Sequence, residues 1–193
     1  MKTDVQLHWD YLLLLEKDLV AITETVELSE KNYTTYGPRI LQLILAAGSE
    51  LDVALKSFAK AVAPDSSAAT GKQPNMMDYK NVIASEAIGQ FTTARVRFLR
   101  SEVVRAPWAP LAENLAESLP WWSSYNKVKH HRAENYESAN LETALDLMAA
   151  LFVVDAYLSE ARLDMFMGST QIIDWDGATH RRMPQLDSYY AAK

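Results

Sequence analysis

Apolar residues at Val5, Leu12, Leu15, Leu19, Ile22 and Val26 recur at alternating three- and four-residue spacing. That spacing puts them on one face of a helix, which Thr3 or Asp4 can cap. His8 falls on the same stripe, where a single imidazole most often serves as a hydrogen-bonded core or boundary residue. Pro38 suits the first turn of a second helix reaching about Ala63, with Ile40, Ile44, Ala47, Leu51, Leu55, Phe58 and Val62 inward. Glu50 interrupts this face among Leu43, Ala46, Ala47 and Ala54. It is either an interior carboxylate that needs a partner or a solvated residue at the edge of the apolar face.

Pro64 to Pro74 reads as a surface loop; its Gly71-Lys72 lacks the spaced glycines of a phosphate-binding loop. Asn75 caps a third helix expected to run through Gly89, with Met77, Val82, Ile83 and Ile88. From Thr92 to Val104 the alternation of Arg95, Val96, Arg97 and Phe98 predicts a small β-ribbon, with a helical extension through Val96, Leu99 and Val103 as the alternative. Pro107, Pro110 and Pro120 bound an irregular stretch holding Trp108 and Leu111, which is expected to pack over the domain, one option being a lid on a cleft. A last long helix starts near Ser138 or Asn140 and continues towards Phe166. It is apolar nearly all round from Ala144 to Leu158, the mark of a central bundle helix or of one also buried by a second subunit. The reading is a single mostly α domain over 1–168, a bundle of four to five helices with a ribbon near 92–104, followed by an irregular tail over 169–193. No internal repeat is present.

Composition narrows the function classes. With 49% hydrophobic and 23% charged residues the chain has the balance of a globular domain, so disordered and fibrous classes drop out. A net charge of -6 argues against non-specific coating of nucleic acid but leaves room for a local basic groove. Arg95, Arg97, Arg100 and Arg105 form one basic group and Lys127, Lys129 and Arg132 another, and the two are expected to line one cleft. The absence of cysteine removes disulfides, zinc thiolates and thiol nucleophiles. The opening MKTDVQLHWD has no secretory pattern, and the apolar run from Ala144 to Leu158 carries Asp146 and Asp155. A cytoplasmic protein without a membrane span is the expectation.

Chemistry concentrates in PWWSSYNKVKHHR, residues 120–132. On a helix Asn126 and His130 lie one turn apart, and Tyr125, Lys129 and Arg132 occupy a neighbouring face. An imidazole among cations and hydrogen-bonding groups suits a phosphate. Adjacent His130 and His131 point about 100° apart on a helix and cannot share an ion. His131 and Glu134 share a face, but no other helix offers matching carboxylates, so neither a metal nor another cofactor is expected. Without a Gly-x-Ser-x-Gly elbow, a serine hydrolase is not expected either.

Three segments, ILAAGSELDVALK with its interior acid, YNKVKHHR, and ANLETALDLMAALFVVDAYL, give the chain a resemblance to the HEPN superfamily over most of its length. These are small all-α proteins that include metal-independent ribonucleases of bacterial defence and toxin systems as well as non-catalytic nucleotide- or RNA-binding members. Active members carry Arg, usually followed by Asn, Asp or His, with four to six residues separating that Arg from a His; here Asn126 and His130 match, and Tyr125 stands in the place of the Arg. The resemblance implies an RNA-directed protein, either an endoribonuclease or a non-catalytic module binding nucleotide, RNA or a protein partner such as an antitoxin. In the catalytic version His130 is general acid/base, Asn126 orients it, and Lys127, Lys129 and Arg132 bind phosphate in place of the missing Arg. Tyr125, Arg95 and Arg97 join the RNA-binding set, with Glu50 positioning the cations and His131 in support. A homodimer with both motifs facing one cleft is also implied.

Overall fold

The computed structural model describes residues 2–164 and 168–177. Helix α1, Asp4–Thr23, begins at a capping box in which Thr3 accepts from the Gln6 backbone and the Gln6 side chain accepts from Thr3. Helix α2, Pro38–Val62, starts with Pro38 in its first turn. The Pro64 to Pro74 loop contains one short helix, α3, Ser67–Thr70. Asn75 caps α4, Met76–Glu86. The helix expected to reach Gly89 instead breaks at Ala87 and restarts as α5, Ile88–Thr93. The break turns Phe91 into the core against Phe58, Trp108 and Tyr157. Two antiparallel strands follow, β1, Val96–Phe98, and β2, Val104–Arg105, so this segment is a ribbon and not a helical extension. Helix α6, Pro120–His130, and α7, Leu141–Ala161, complete the bundle. Phe166, the expected reach of the last helix, lies outside the described residues.

Helices α2 and α7 pack against each other, and α1 and α6 each lie against both. Their inward residues, among them Leu12, Leu19, Ile44, Leu51, Val128 and Leu151, form one continuous core. Helix α7 is buried by this chain on nearly every side from Leu147 to Glu160, and in its first turns only Glu142 is exposed and Asp146 half-buried. Its all-round apolarity therefore marks the central helix of the bundle. No helix among the described residues is long and apolar enough to cross a membrane. The proline-bounded stretch is not a lid. Trp108 is fully buried, touches Phe91 and Trp121, and donates its indole N–H to the Ala150 carbonyl at 3.4 Å.

The tail departs most from expectation. Residues 173–175 form β3, Ile173–Trp175, which pairs antiparallel with β1 through Val96↔Trp175, Arg97↔Asp174 and Phe98↔Ile173, in the sheet order β2-β1-β3. The anchor is Glu16, a buried carboxylate on α1. Its Oε1 accepts from the backbone N–H groups of Gln171, Ile172 and Ile173 at 2.8, 2.8 and 3.1 Å, and its Oε2 accepts from Gln171 at 2.9 Å. These charge-assisted bonds replace water for three backbone donors, those of Ile172 and Ile173 on buried residues. Glu16→Ala is expected to release them at a cost of about 2 kcal/mol or more. Amide exchange at residues 171–173 should accelerate far more than at α2 or α7. Uniform acceleration, or none, would show that Glu16 is not the anchor.

Candidate functional site

Helix α6 is placed by its apolar face. Trp121, Tyr125 and Val128 are buried, at the four- and three-residue spacing that turns one side inward. The Tyr125 ring lies flat against Gly48 of α2: a Cβ built at position 48 would stand 2.4 Å from it. Because this face is committed to packing, Lys127, Lys129 and His130 are left exposed on the outer side, followed by exposed His131 and Arg132 as the helix ends. None of these residues forms an ion pair among the described residues, although Glu134 and Glu137 follow in sequence and are exposed. Lys129 Nζ sits over the Tyr125 ring, 5.3 Å from its centroid, an arrangement that steadies the ammonium without neutralising it. Lys129, His130, Arg132, Ala133 and Tyr136 line an open depression of about 550 Å³.

Several expected roles change. Tyr125 is 2% exposed, so it supports Lys129 from below and does not itself meet a ligand. The Asn126 amide donates to the Trp122 carbonyl at 3.0 Å and is engaged within its own helix, not with His130. Arg95 and Arg97 belong to the sheet, where both pair with Asp176, and neither lines the depression. Arg97 and Arg100 border a separate basin with Glu27, Glu30 and Lys31. Arg105 is also elsewhere, held by Asp146 at 2.6 and 2.9 Å, by Glu142 at 3.0 Å, and against the Tyr33 ring. The two basic groups of the sequence therefore do not share one cleft.

Glu50 is not among the α6 cations. Its Oε1 bonds to His8 Nδ1 at 2.6 Å, while His8 Nε2 lies 3.1 Å from Ser57 Oγ and 3.5 Å from Asp4 Oδ1. Asp155 of α7 interacts electrostatically with both His8 and Glu50, is 1% exposed, and has no hydrogen-bond partner at either carboxylate oxygen. Burial alone pulls the His8 pKa down. The Glu50 hydrogen bond and the charges of Asp155, Glu50 and Asp4 outweigh that effect, so His8 stands above the usual histidine value. Burial, with Glu50 adding to it against the opposing charge of His8, lifts Asp155 well above the usual carboxyl value.

Ser57, His8 and Glu50 follow the connectivity of a hydrolytic triad. Ser57, however, is buried in the middle of α2, where the helix engages the backbone N–H groups that an oxyanion would need. The network is a clamp between α1, α2 and α7. Among the described residues no group of three His, Asp or Glu side chains is placed to hold a metal ion. The sequence signal for this network was present in three polar residues at interior helical positions, but their pairing depends on how the helices are set against each other. Comparison with protein-family models, with curated proteins and with solved structures finds no match to this chain.

Proposed function

We propose that this protein is a HEPN-like, RNA-directed helical module that binds its ligand through the exposed end of α6 without cleaving it. The observation that carries this reading is the exposed run of Lys127, Lys129, His130, His131 and Arg132, without an ion pair among the described residues, on a chain whose net charge is -6. Cations at a helix C-terminus also compensate the macrodipole, but three lysine and arginine side chains with two imidazoles at one exposed end, of which Lys129, His130 and Arg132 line the depression, exceed what a single helix end requires. The resemblance at Asn126 and His130 points the same way and supplies RNA as the ligand. Binding is favoured over cleavage by two features of the motif: the residue in the place of the family Arg is a buried tyrosine, and the Asn126 amide is occupied by a carbonyl.

The test is fluorescence anisotropy with a labelled single-stranded RNA, in EDTA. If Lys127, Lys129 and Arg132 each neutralise one phosphate, affinity should fall roughly 20-fold between 50 and 200 mM salt, from a slope of about -0.7 per phosphate on single strands. Lys129→Glu with Arg132→Glu should remove most of the affinity at unchanged melting temperature. Affinity indifferent to salt and to charge reversal would reject the reading. RNA cleaved by wild type but not by His130→Ala, leaving 2′,3′-cyclic phosphate ends, would establish the endoribonuclease instead.

A further inference from the structure

The depression at the end of α6 has an aromatic wall as well as a basic one. Tyr136, which shares its lining with Lys129, His130 and Arg132, meets the ring of Tyr36 edge to face, with centroids 5.5 Å apart and planes at 81°. Tyr36 is 51% exposed. A lone exposed tyrosine is unremarkable, but the backbone around this one is fixed. Tyr36 pairs with Asn140 in a β-bridge, the Leu141 N–H donates to the Thr35 carbonyl at 2.8 Å, and the Glu142 N–H donates to the Tyr33 carbonyl at 3.1 Å. The segment preceding α2 is thereby tied to the start of α7, and the Tyr36 ring is held outward beside Tyr136. A fixed aromatic pair, the Tyr36 ring exposed and Tyr136 half-buried behind it, next to cations that form no ion pair among the described residues is the combination that binds single-stranded nucleic acid, in which phosphates meet the charges and unpaired bases stack on an open ring face.

We infer that Tyr36 and Tyr136 form a base-stacking platform, so that the ligand of this site is single-stranded RNA with at least one base free to leave its neighbours. The inference rests on the α6 patch being an RNA-binding surface and adds to it the discrimination of bases from bare phosphate. A duplex, whose bases are sealed in the stack, should bind more weakly than a single strand of the same length.

The experiment compares three probes of equal length, a single-stranded RNA, an abasic ribose-phosphate oligomer and an RNA duplex, on wild type, Tyr36→Ala, Tyr36→Phe and Lys129→Glu. Wild type should prefer the single-stranded RNA over the abasic oligomer. Tyr36→Ala should lose on the order of tenfold on the single strand and nothing on the abasic oligomer. Tyr36→Phe should behave as wild type, because stacking needs the ring and not the hydroxyl, and Lys129→Glu should weaken every probe. If wild type binds the abasic oligomer as well as RNA, or if Tyr36→Ala weakens both equally, the platform is overturned while the basic patch stands. If no probe binds wild type, both readings fall together.

Discussion

Gly48→Ala is expected to be among the most damaging single substitutions in this protein, although it adds one methyl group. The new Cβ would stand 2.4–2.7 Å from three atoms of the Tyr125 ring. Those atoms lie close to the ring's attachment on a buried side chain, so they cannot give way as a flexible tip could. Either α6 moves away from α2 or Tyr125 leaves its rotamer. Overpacking of this kind costs about 3 kcal/mol, the upper part of the usual range. For a chain of this length that corresponds to a fall in melting temperature of about 6–12 °C. Affinity for RNA should fall with it even where the variant remains folded, since Lys129 rests on the same ring. Removing the clash from the other side, by Tyr125→Val in the Gly48→Ala background, should leave the double variant more stable than the sum of the two single losses predicts. Strict additivity would mean that the two residues do not press on each other.

The second large effect belongs to the buried polar clamp. In His8→Ala, Glu50 and Asp155 keep their positions near each other and lose the one cation between them, and breaking a buried pair in this way costs about 3–5 kcal/mol. Asp155→Asn should be far milder, neutral or stabilising, because it replaces a buried carboxyl group that has no hydrogen bond to lose. The same groups set a pH dependence. The raised His8 pKa contributes stability that is fully present below the ordinary value of 6.5 and is lost as pH rises through the folded value. Asp155 acts in the same direction from lower pH. Above the ordinary carboxyl value of 3.8 the unfolded chain gives up this proton while the folded one retains it, so stability declines until the folded group also ionises. The groups facing His8 are Asp4 on its own helix, Glu50 and Ser57 on α2, and Asp155 on α7. Urea unfolding followed by tryptophan fluorescence should therefore give a higher unfolding free energy at pH 6 than at pH 9, and a flatter profile in Asp155→Asn. A stability that rises over that interval would contradict the clamp.

The helices were legible because helical periodicity is a local signal. Thr3, Pro38 and Asn140 sit where α1, α2 and α7 begin, and each acts through the physics of one helix turn. The ribbon was legible for the same reason, from the alternation around Val96 and Phe98. Strand β3 was not, since Ile173–Trp175 is a strand only because β1 and the Glu16 carboxylate lie next to it, and both are distant in sequence. A sign of this anchor was nevertheless present: Glu16 lies next to Leu15 on the inward side of α1, among Leu12 and Leu19, where a carboxylate needs donors from elsewhere. The site was legible in the same divided way. Lys129, His130 and Arg132 are neighbours in sequence and line one depression. The partners of Glu50, Arg95 and Arg97 required knowing which elements meet, and Tyr36 joins Tyr136 only because two distant segments are bridged.

Helix α7 is enclosed mainly by α1, α2 and α6, which precede it in the chain, with Trp175 of β3 closing on it afterwards, and this bears on the order of events during synthesis. Until residues 141–161 have left the ribosome, α1 and α6 can close on α2 but lack the central helix that covers the rest of their inward faces. The decisive contacts join segments separated by most of the domain, which makes them slow to find and entropically costly to close. The nascent chain thus carries α1 and α2 with much of their apolar surface uncovered until α7 emerges, a condition that favours aggregation.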